Sequence, residues 1–244
     1  HTRQVLVFDG STGGYIGDLA NVSPRSPIDI EFDAGGNAYI TCGSPYNEVV
    51  RCKKSDGTLE SFIPSGAGGL VHPFGLTFGA NGDLYVVSWG TDEVKRYRGD
   101  DGAYIESINP PDFVFDDPQM IVRGPAGFLY VNGHVSGNVL KIQGSTYDEF
   151  IAGLDHPSAV AVVPPPKVEF YVNSYVERSV SRYSCCASGE LVIPPQPVPF
   201  GGLTFGRDGF LYATVHSGDK VVKFDFGAEN PEAQDVVTGI EGPA

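Results

Sequence analysis

Basic residues are scarce in this chain: 16 lysines and arginines stand against 30 acidic residues, for a formal net charge of −14. A surface of that sign repels phosphate backbones, so nucleic acid is not an expected partner, and acidic membrane surfaces are disfavoured for the same reason. Long apolar runs are also missing. None approaches the roughly 20 residues that a membrane-crossing helix needs, so no membrane insertion is expected. No stretch combines a helical apolar period with end caps, which points away from a helical core. There is no metal-type CxxC pair, no HExxH or HxH spacing, no phosphate loop and no Ser-His-Asp arrangement, so no catalytic motif stands out.

Glycine (32) and proline (19) are plentiful, as expected where many short strands need many tight turns. A hydrophobic content of 41% with 19% charged residues is a folding composition rather than a disordered one.

A repeat organises the chain. Five segments share one pattern: proline, a short apolar strand, a Gly/Asn/Asp turn, then an aromatic-bearing strand. They begin at Pro27, Pro73, Pro118, Pro157 and Pro199, and their second strands carry Tyr39, Tyr85, Tyr130, Tyr171 and Tyr212. A second strand pair follows each, and runs such as VKRY, VLKI and VVKF alternate apolar and polar residues as half-buried strands do. Each unit therefore reads as a four-stranded antiparallel meander, A-B-C-D. One meander cannot bury both of its faces, whereas several packed around an axis can.

The expected fold is an all-β, six-bladed β-propeller, with five complete blades and one half blade in a single domain spanning 1–244. The half blade is residues 1–22. Full blades follow at approximately 23–68, 69–113, 114–153, 154–195 and 196–240, and 241–244 would start the closing blade at Pro243. Closing a ring removes exposed strand edges. Roughly 25–30 further residues, one A–B hairpin, are expected to complete it, more naturally after Ala244 than before His1. The chain then reads as a segment of a longer one.

The stretch from His72 to Ile105, HPFGLTFGANGDLYVVSWGTDEVKRYRGDDGAYI, resembles NHL-type repeats and the gluconolactonase-like and streptogramin lyase-like propellers. The resemblance runs from Val5 to Ala244 and implies the propeller shape. In gluconolactonase-like members it implies a divalent metal held by oxygen ligands just after the strand-A proline. Those places read Pro73-Phe74-Gly75 and Pro199-Phe200-Gly201, and phenylalanine offers a hard cation no oxygen. Only Asp29 and Gln119 are polar near strand A. Lyase-like members imply histidine with glutamate near the end of strand B. Here those ends are Cys42, Ser88, Gly133, Ser174 and Val215, none of them acidic.

In such a meander the D–A and B–C loops emerge on one face, the top. His72 and His156 precede strand-A prolines, and His134 and His216 lie in B–C loops, the position also held by Trp89 and Tyr175. His1 maps to the same face. A top-face site lined by Trp89, His134, Tyr175 and His216, with His72 and His156 nearer the axis, suits a carbohydrate, a peptide or another protein chain. These loop residues can equally cap the neighbouring blade. The acids of the lower turns (Asp9, Asp33, Asp56, Asp83, Asp100, Asp101 and Asp208) read as turn chemistry, with weak calcium binding as the alternative; no other cofactor is expected.

Four cysteines and the sequon Asn21-Val22-Ser23 point to an oxidising, extracellular or cell-surface setting, with Asn21 as a glycosylation acceptor. A Cys42–Cys52 bridge between neighbouring strands B and C is expected. The vicinal Cys185 and Cys186 are left open between a vicinal bridge, bonds to another chain and free thiols. The function expected is a non-enzymatic binding or scaffold propeller. The alternatives are a lactonase- or lyase-type enzyme with a rearranged top-face site, and a lectin-like or peptide-binding module.

Overall fold

The computed structural model describes residues 3–110, 115–163, 169–184, 189–215, 220–226 and 231–238. His1, His216, Cys185, Cys186 and Pro243 therefore lie outside the described residues.

Among the described residues, twenty-two strands form six antiparallel sheets. An N-terminal hairpin of β1 (Gln4–Phe8) and β2 (Tyr15–Asn21) makes a two-stranded sheet. Five four-stranded sheets follow. The first holds β3 (Pro27–Phe32), β4 (Ala38–Cys42), β5 (Glu48–Cys52) and β6 (Leu59–Ile63), and the second β7 (Pro73–Phe78), β8 (Leu84–Ser88), β9 (Glu93–Tyr97) and β10 (Tyr104–Ile108). The third holds β11 (Pro118–Arg123), β12 (Leu129–Gly133), β13 (Asn138–Gln143) and β14 (Thr146–Ile151). The fourth holds β15 (Pro157–Val163), β16 (Glu169–Ser174), β17 (Ser179–Ser184) and β18 (Glu190–Ile193). The fifth holds β19 (Phe200–Phe205), β20 (Leu211–Val215), β21 (Lys220–Phe224) and β22 (Gln234–Thr238). Within each sheet the strands pair in chain order, so every blade is the meander that the repeat implies. The strand-B ends also fall where the sequence puts them.

The sheets pack face to face as a propeller. The innermost strands touch in succession, β3 on β7, β7 on β11, β11 on β15 and β15 on β19. The core is a set of layers between blades rather than one central mass. Between the first two blades, Val49, Ile63, Leu70, Leu84, Val86 and Tyr97 are wholly buried. Each such side chain contributes roughly 1.5–3 kcal/mol by leaving water. Comparable layers lie between the second and third, third and fourth, and fourth and fifth blades.

The N-terminal hairpin bridges the two ends of this series. On one side, Ala20 and Val22 are buried against Ala38, Ile40 and Val50 of the first blade. On the other, the β1–β2 turn meets β22 so closely that a Cβ on Gly13 would lie 1.7 Å from the Val236 carbonyl oxygen. The same contact joins two full blades: a Cβ on Gly102, in the β9–β10 turn, would lie 2.2 Å from the Phe62 carbonyl oxygen on β6. Register makes the two pairs equivalent, since Ile63 faces Val49 as Val237 faces Val221.

Strand A of every blade carries one extra residue against strand B, a bulge just past its start. The bulge frees a backbone N–H from the ladder, and in four of the five blades a strand-B side chain accepts it. Thr41 Oγ1 accepts from Asp29 N at 3.0 Å, Asn132 Oδ1 from Met120 N at 3.0 Å, Asn173 Oδ1 from Ala159 N at 2.6 Å, and Thr214 Oγ1 from Gly202 N at 2.7 Å. The asparagines also donate across the blade boundary, Asn132 Nδ2 to Pro157 O at 2.6 Å and Asn173 Nδ2 to Phe200 O at 3.0 Å.

The structure corrects two expectations. The β4–β5 ladder pairs Cys42 with Glu48 and Cys52 with Ala38, at opposite ends of the strand pair. Four residues of strand separate the two positions, roughly 13 Å, beyond the span of a disulfide. Both are free, buried thiols. In the fifth blade Phe200, not Pro199, pairs with the strand-B end Val215, as Pro73 pairs with Ser88. The conserved-looking proline there sits one residue early, and Gly202 rather than Gly201 takes the place of Gly75.

Candidate functional site

The top face is built from two recurring positions. One is the residue just before strand A: Ser26, His72, Asp117 and His156 in the first four blades. The other is the residue just after strand B: Gly43, Trp89, His134 and Tyr175. A backbone hydrogen bond ties the two within each blade, from Gly43 N to Ser26 O, Trp89 N to His72 O, His134 N to Asp117 O and Tyr175 N to His156 O, at 3.0–3.3 Å. Histidine and aspartate before the proline adopt left-handed backbone, with φ of 49° at His72, 57° at Asp117 and 48° at His156. Asparagine and aspartate on the previous blade's B–C loop hold two of these turns: Asn47 Oδ1 accepts from His72 N at 2.8 Å, and Asp92 Oδ1 from Asp117 N at 3.0 Å.

Across each boundary the post-B residue of one blade meets the pre-A residue of the next. Gly43 makes room for His72: a Cβ there would lie 3.0 Å from His72 Cδ2. Trp89 lies beside Asp117 and lowers its carboxyl. His134 and His156 stack edge to face with ring centroids 5.2 Å apart, and the Tyr175 ring lies 6.1 Å from His134. His72, Trp89, Asp117, His134, His156 and Tyr175 thus form one continuous arc over three blades. His216, expected to extend it, lies outside the described residues.

The arc has a defined chemistry. His134 Nδ1 lies 3.2 Å from the Pro157 carbonyl oxygen, and His156 Nδ1 2.7 Å from Asp155 Oδ1. Both partners only accept, so Nδ1 carries a hydrogen in each ring. Burial pushes the Asp117 carboxyl above its ordinary range, and the charge of His134 and the Trp89 side chain pull it back. At the second blade, His72, Phe74 and Trp89 form a mutual cluster, with centroid separations of 4.8, 5.8 and 6.4 Å. All three are half-buried, open enough to be reached.

Asp29 and Gln119 do not join this arc. Asp29 is a joint between blades: its carboxylate accepts from Leu76 N of the second blade at 3.0 Å and from Ile30 N at 2.9 Å. Burial pushes its carboxyl up to about 6. Gln119 is half-buried on β11, where its backbone packs on Gly75. The lower-turn acids do turn chemistry, with Asp9 holding Ser11 and Thr12, Asp33 holding Asn37, Asp56 holding Thr58 and Asp208 holding Tyr212. Among the described residues, no three His, Cys, Asp or Glu side chains gather as a metal site.

Asp117 stands outside the sequence expectation, which rests on the histidines and aromatics of these loops. The signal was present: Asp117 precedes Pro118 as His72 precedes Pro73 and His156 precedes Pro157.

No protein-family model matches the sequence, and no curated protein does. Solved structures share the fold at low identity. A catalytically inactive variant of virginiamycin B lyase from Staphylococcus aureus with quinupristin is 16% identical with a TM-score of 0.75, over 98% of this chain and 79% of that one. A chain of a nidogen/laminin complex is 13% identical with a TM-score of 0.79, over 95% of this chain and 90% of that one. A protein provisionally assigned as a gluconolactonase is 18% identical with a TM-score of 0.67, over 88% of this chain and 78% of that one. The likeness is one of propeller fold, and that fold serves both enzymes and a binding domain.

Proposed function

We propose that this chain is a non-enzymatic binding propeller, and that its top-face arc is the surface it presents to a partner. One observation carries the reading: the loop residues of three successive blades form a continuous strip of imidazole, aromatic and carboxylate groups on one face. Packing alone needs no such strip, because the layers between blades are already filled by apolar side chains below it. Aromatic and imidazole groups offer contact area with little loss of side-chain entropy, as binding surfaces require. The nidogen propeller fold in a complex with laminin is a precedent for this use of the fold.

The ring is proposed to hold six positions, the N-terminal hairpin filling the outer half of the sixth. The Gly13–Val236 contact, matching Gly102–Phe62, supports this placement. An extracellular setting is proposed on the strength of the sequon at Asn21, which is exposed at the end of β2. Cys42 and Cys52 lend it no support, since both are free thiols.

A second reading is an enzyme of lactonase or lyase type with Asp117, His134 and His156 as its acid–base groups. It is favoured by two imidazoles in edge-to-face contact, with the Asp117 carboxylate beside His134. One set of assays separates the two. The purified chain is expected to turn over neither lactones nor a streptogramin depsipeptide, while peptides or oligosaccharides perturb the fluorescence of Trp89, its single tryptophan. Turnover abolished by His134→Ala would replace the binding reading with the enzymatic one.

A further inference from the structure

Several aromatic rings of this chain carry one of its own cations. Arg51 lies over Phe62 at 4.9 Å and over Tyr39 at 5.9 Å, Arg96 over Tyr85 at 5.8 Å, Lys141 over Phe128 at 3.8 Å and Lys223 over Phe210 at 4.7 Å. The His72–Phe74–Trp89 cluster is different. Among the described residues, no cation–ring contact involves any of its three rings.

Beside it lie three carboxylates, of which Asp117 has the charge of His134 nearby. None of the ion pairs among the described residues includes Asp92, Asp116 or Asp117. Trp89 and Asp116 both act on the Asp117 carboxyl, and Asp92 accepts from the Asp117 backbone N–H at 3.0 Å, so the three acids and three rings form one neighbourhood. Such a grouping has the attributes of a cation receptor. Ring faces attract a cation within about 6 Å, most strongly when it is partly desolvated, and a carboxylate at the rim supplies the counter-charge. The long-range field agrees, since a net charge of −14 steers cations toward the chain.

We propose that His72, Phe74 and Trp89, with Asp117 at their edge, form a cage for a cationic side chain, the lysine- or arginine-type group of a partner protein segment. This rests on the top face being the binding surface and names the chemistry of what it binds. His134, His156 and Tyr175 continue the strip and would line the path of the segment on either side of the inserted cation.

Trp89 makes the test direct. A five-residue oligolysine and the same peptide with every ε-amine acetylated are titrated against the intact chain, with Trp89 fluorescence as the readout. The free-amine peptide is expected to give a saturable change and the acetylated one at least about tenfold weaker binding, roughly 1.4 kcal/mol. Asp117→Asn, which suits the left-handed backbone at that position, is expected to weaken oligolysine by a similar factor. Asp101→Asn, in a lower turn and paired with Arg98, is expected to change it little, which separates the cage from the general acidity of the surface. Equal responses to the two peptides would overturn the cation cage while leaving a top-face peptide site standing. Silence from both would overturn the cage, and silence from oligosaccharides and other peptides as well would overturn the binding surface itself. The comparison of the two peptides on the unmodified chain decides the matter even where a variant fails to fold.

Discussion

Asn132 closes two gaps at once: its Oδ1 takes the Met120 N–H left over by a bulge within its own blade, and its Nδ2 donates to the Pro157 carbonyl of the next blade at 2.6 Å. Asn173 repeats the device one blade later, with Ser158 Oγ and the Phe200 carbonyl as its acceptors at 2.7 and 3.0 Å. A defect inside one sheet thereby becomes the polar joint between two. Asn132→Ala or Asn173→Ala strands buried donors and acceptors and is expected to cost roughly 1–3 kcal/mol each. A lowered urea midpoint with an unchanged slope checks this, and an unchanged midpoint would show that water replaces the asparagine.

Gly13 offers a test of how the hairpin docks. It has φ of +70° and abuts the Val236 carbonyl, while Gly57 has the same φ with nothing within 4 Å of a Cβ. Gly57→Ala is expected to carry the backbone penalty alone, about 1 kcal/mol. Gly13→Ala adds a clash with the fifth blade and should cost clearly more, as should Gly102→Ala against Phe62. Equal losses at Gly13 and Gly57, measured by thermal unfolding, would mean that the hairpin does not bear on β22.

The buried Asp29 sets a pH dependence with a definite sign. Its folded carboxyl is raised to about 6 from an ordinary 3.8, so the folded chain holds a proton that the unfolded chain has already lost between those values. The stability this group contributes is fully present below about pH 3.8 and is lost as pH climbs to about 6, with no further change above. Asp29→Asn removes that slope. Its stability relative to the unmodified chain is expected to improve from pH 4 to 6 and then level off. Glu31, raised by burial and by the charge of Asp29 and pulled down by Arg123 and Thr77, sharpens the effect, because its own carboxyl falls once Asp29 is neutral. A flat difference across pH 4–7, from denaturation at each pH, would place the Asp29 carboxylate in water.

The cysteines give a chemical check on register. Burial pushes the Cys42 thiol up to about 12 and raises the Cys52 thiol as well. Both are expected to resist iodoacetamide in the native chain and to react fully in denaturant without a reducing agent. A non-reduced peptide map linking the two would contradict the β4–β5 pairing.

Much of the architecture was legible in the sequence because the repeat exposes it. The recurring tyrosines fix strand B, and with it the loops that place Trp89, His134 and Tyr175 on one face. The rest was hidden by geometry that residue types do not announce. A bulge has no sequence marker of its own, so the roles of Thr41, Asn132 and Asn173 appear only once two strands are paired. Pro199 invited alignment with the other strand-A prolines, yet pairing puts Phe200 in their place. Cys42 and Cys52 sit on adjacent strands, and only the ladder shows them at opposite ends of it. Asp29 reads in the sequence only as a polar residue near strand A, and its role as acceptor for the Leu76 N–H of the next blade appears only in the packing.

The convergence of the top-face loops is tested most directly by an NMR titration that follows the imidazole protons of His72, His134 and His156 together with the Trp89 indole N–H as a peptide ligand is added. These signals are expected to move together with one saturation curve, while amides of the lower turns around Asp33, Asp83 and Asp208 stay in place. Movement confined to the lower turns, or unrelated curves for the histidines and Trp89, would contradict a single surface there.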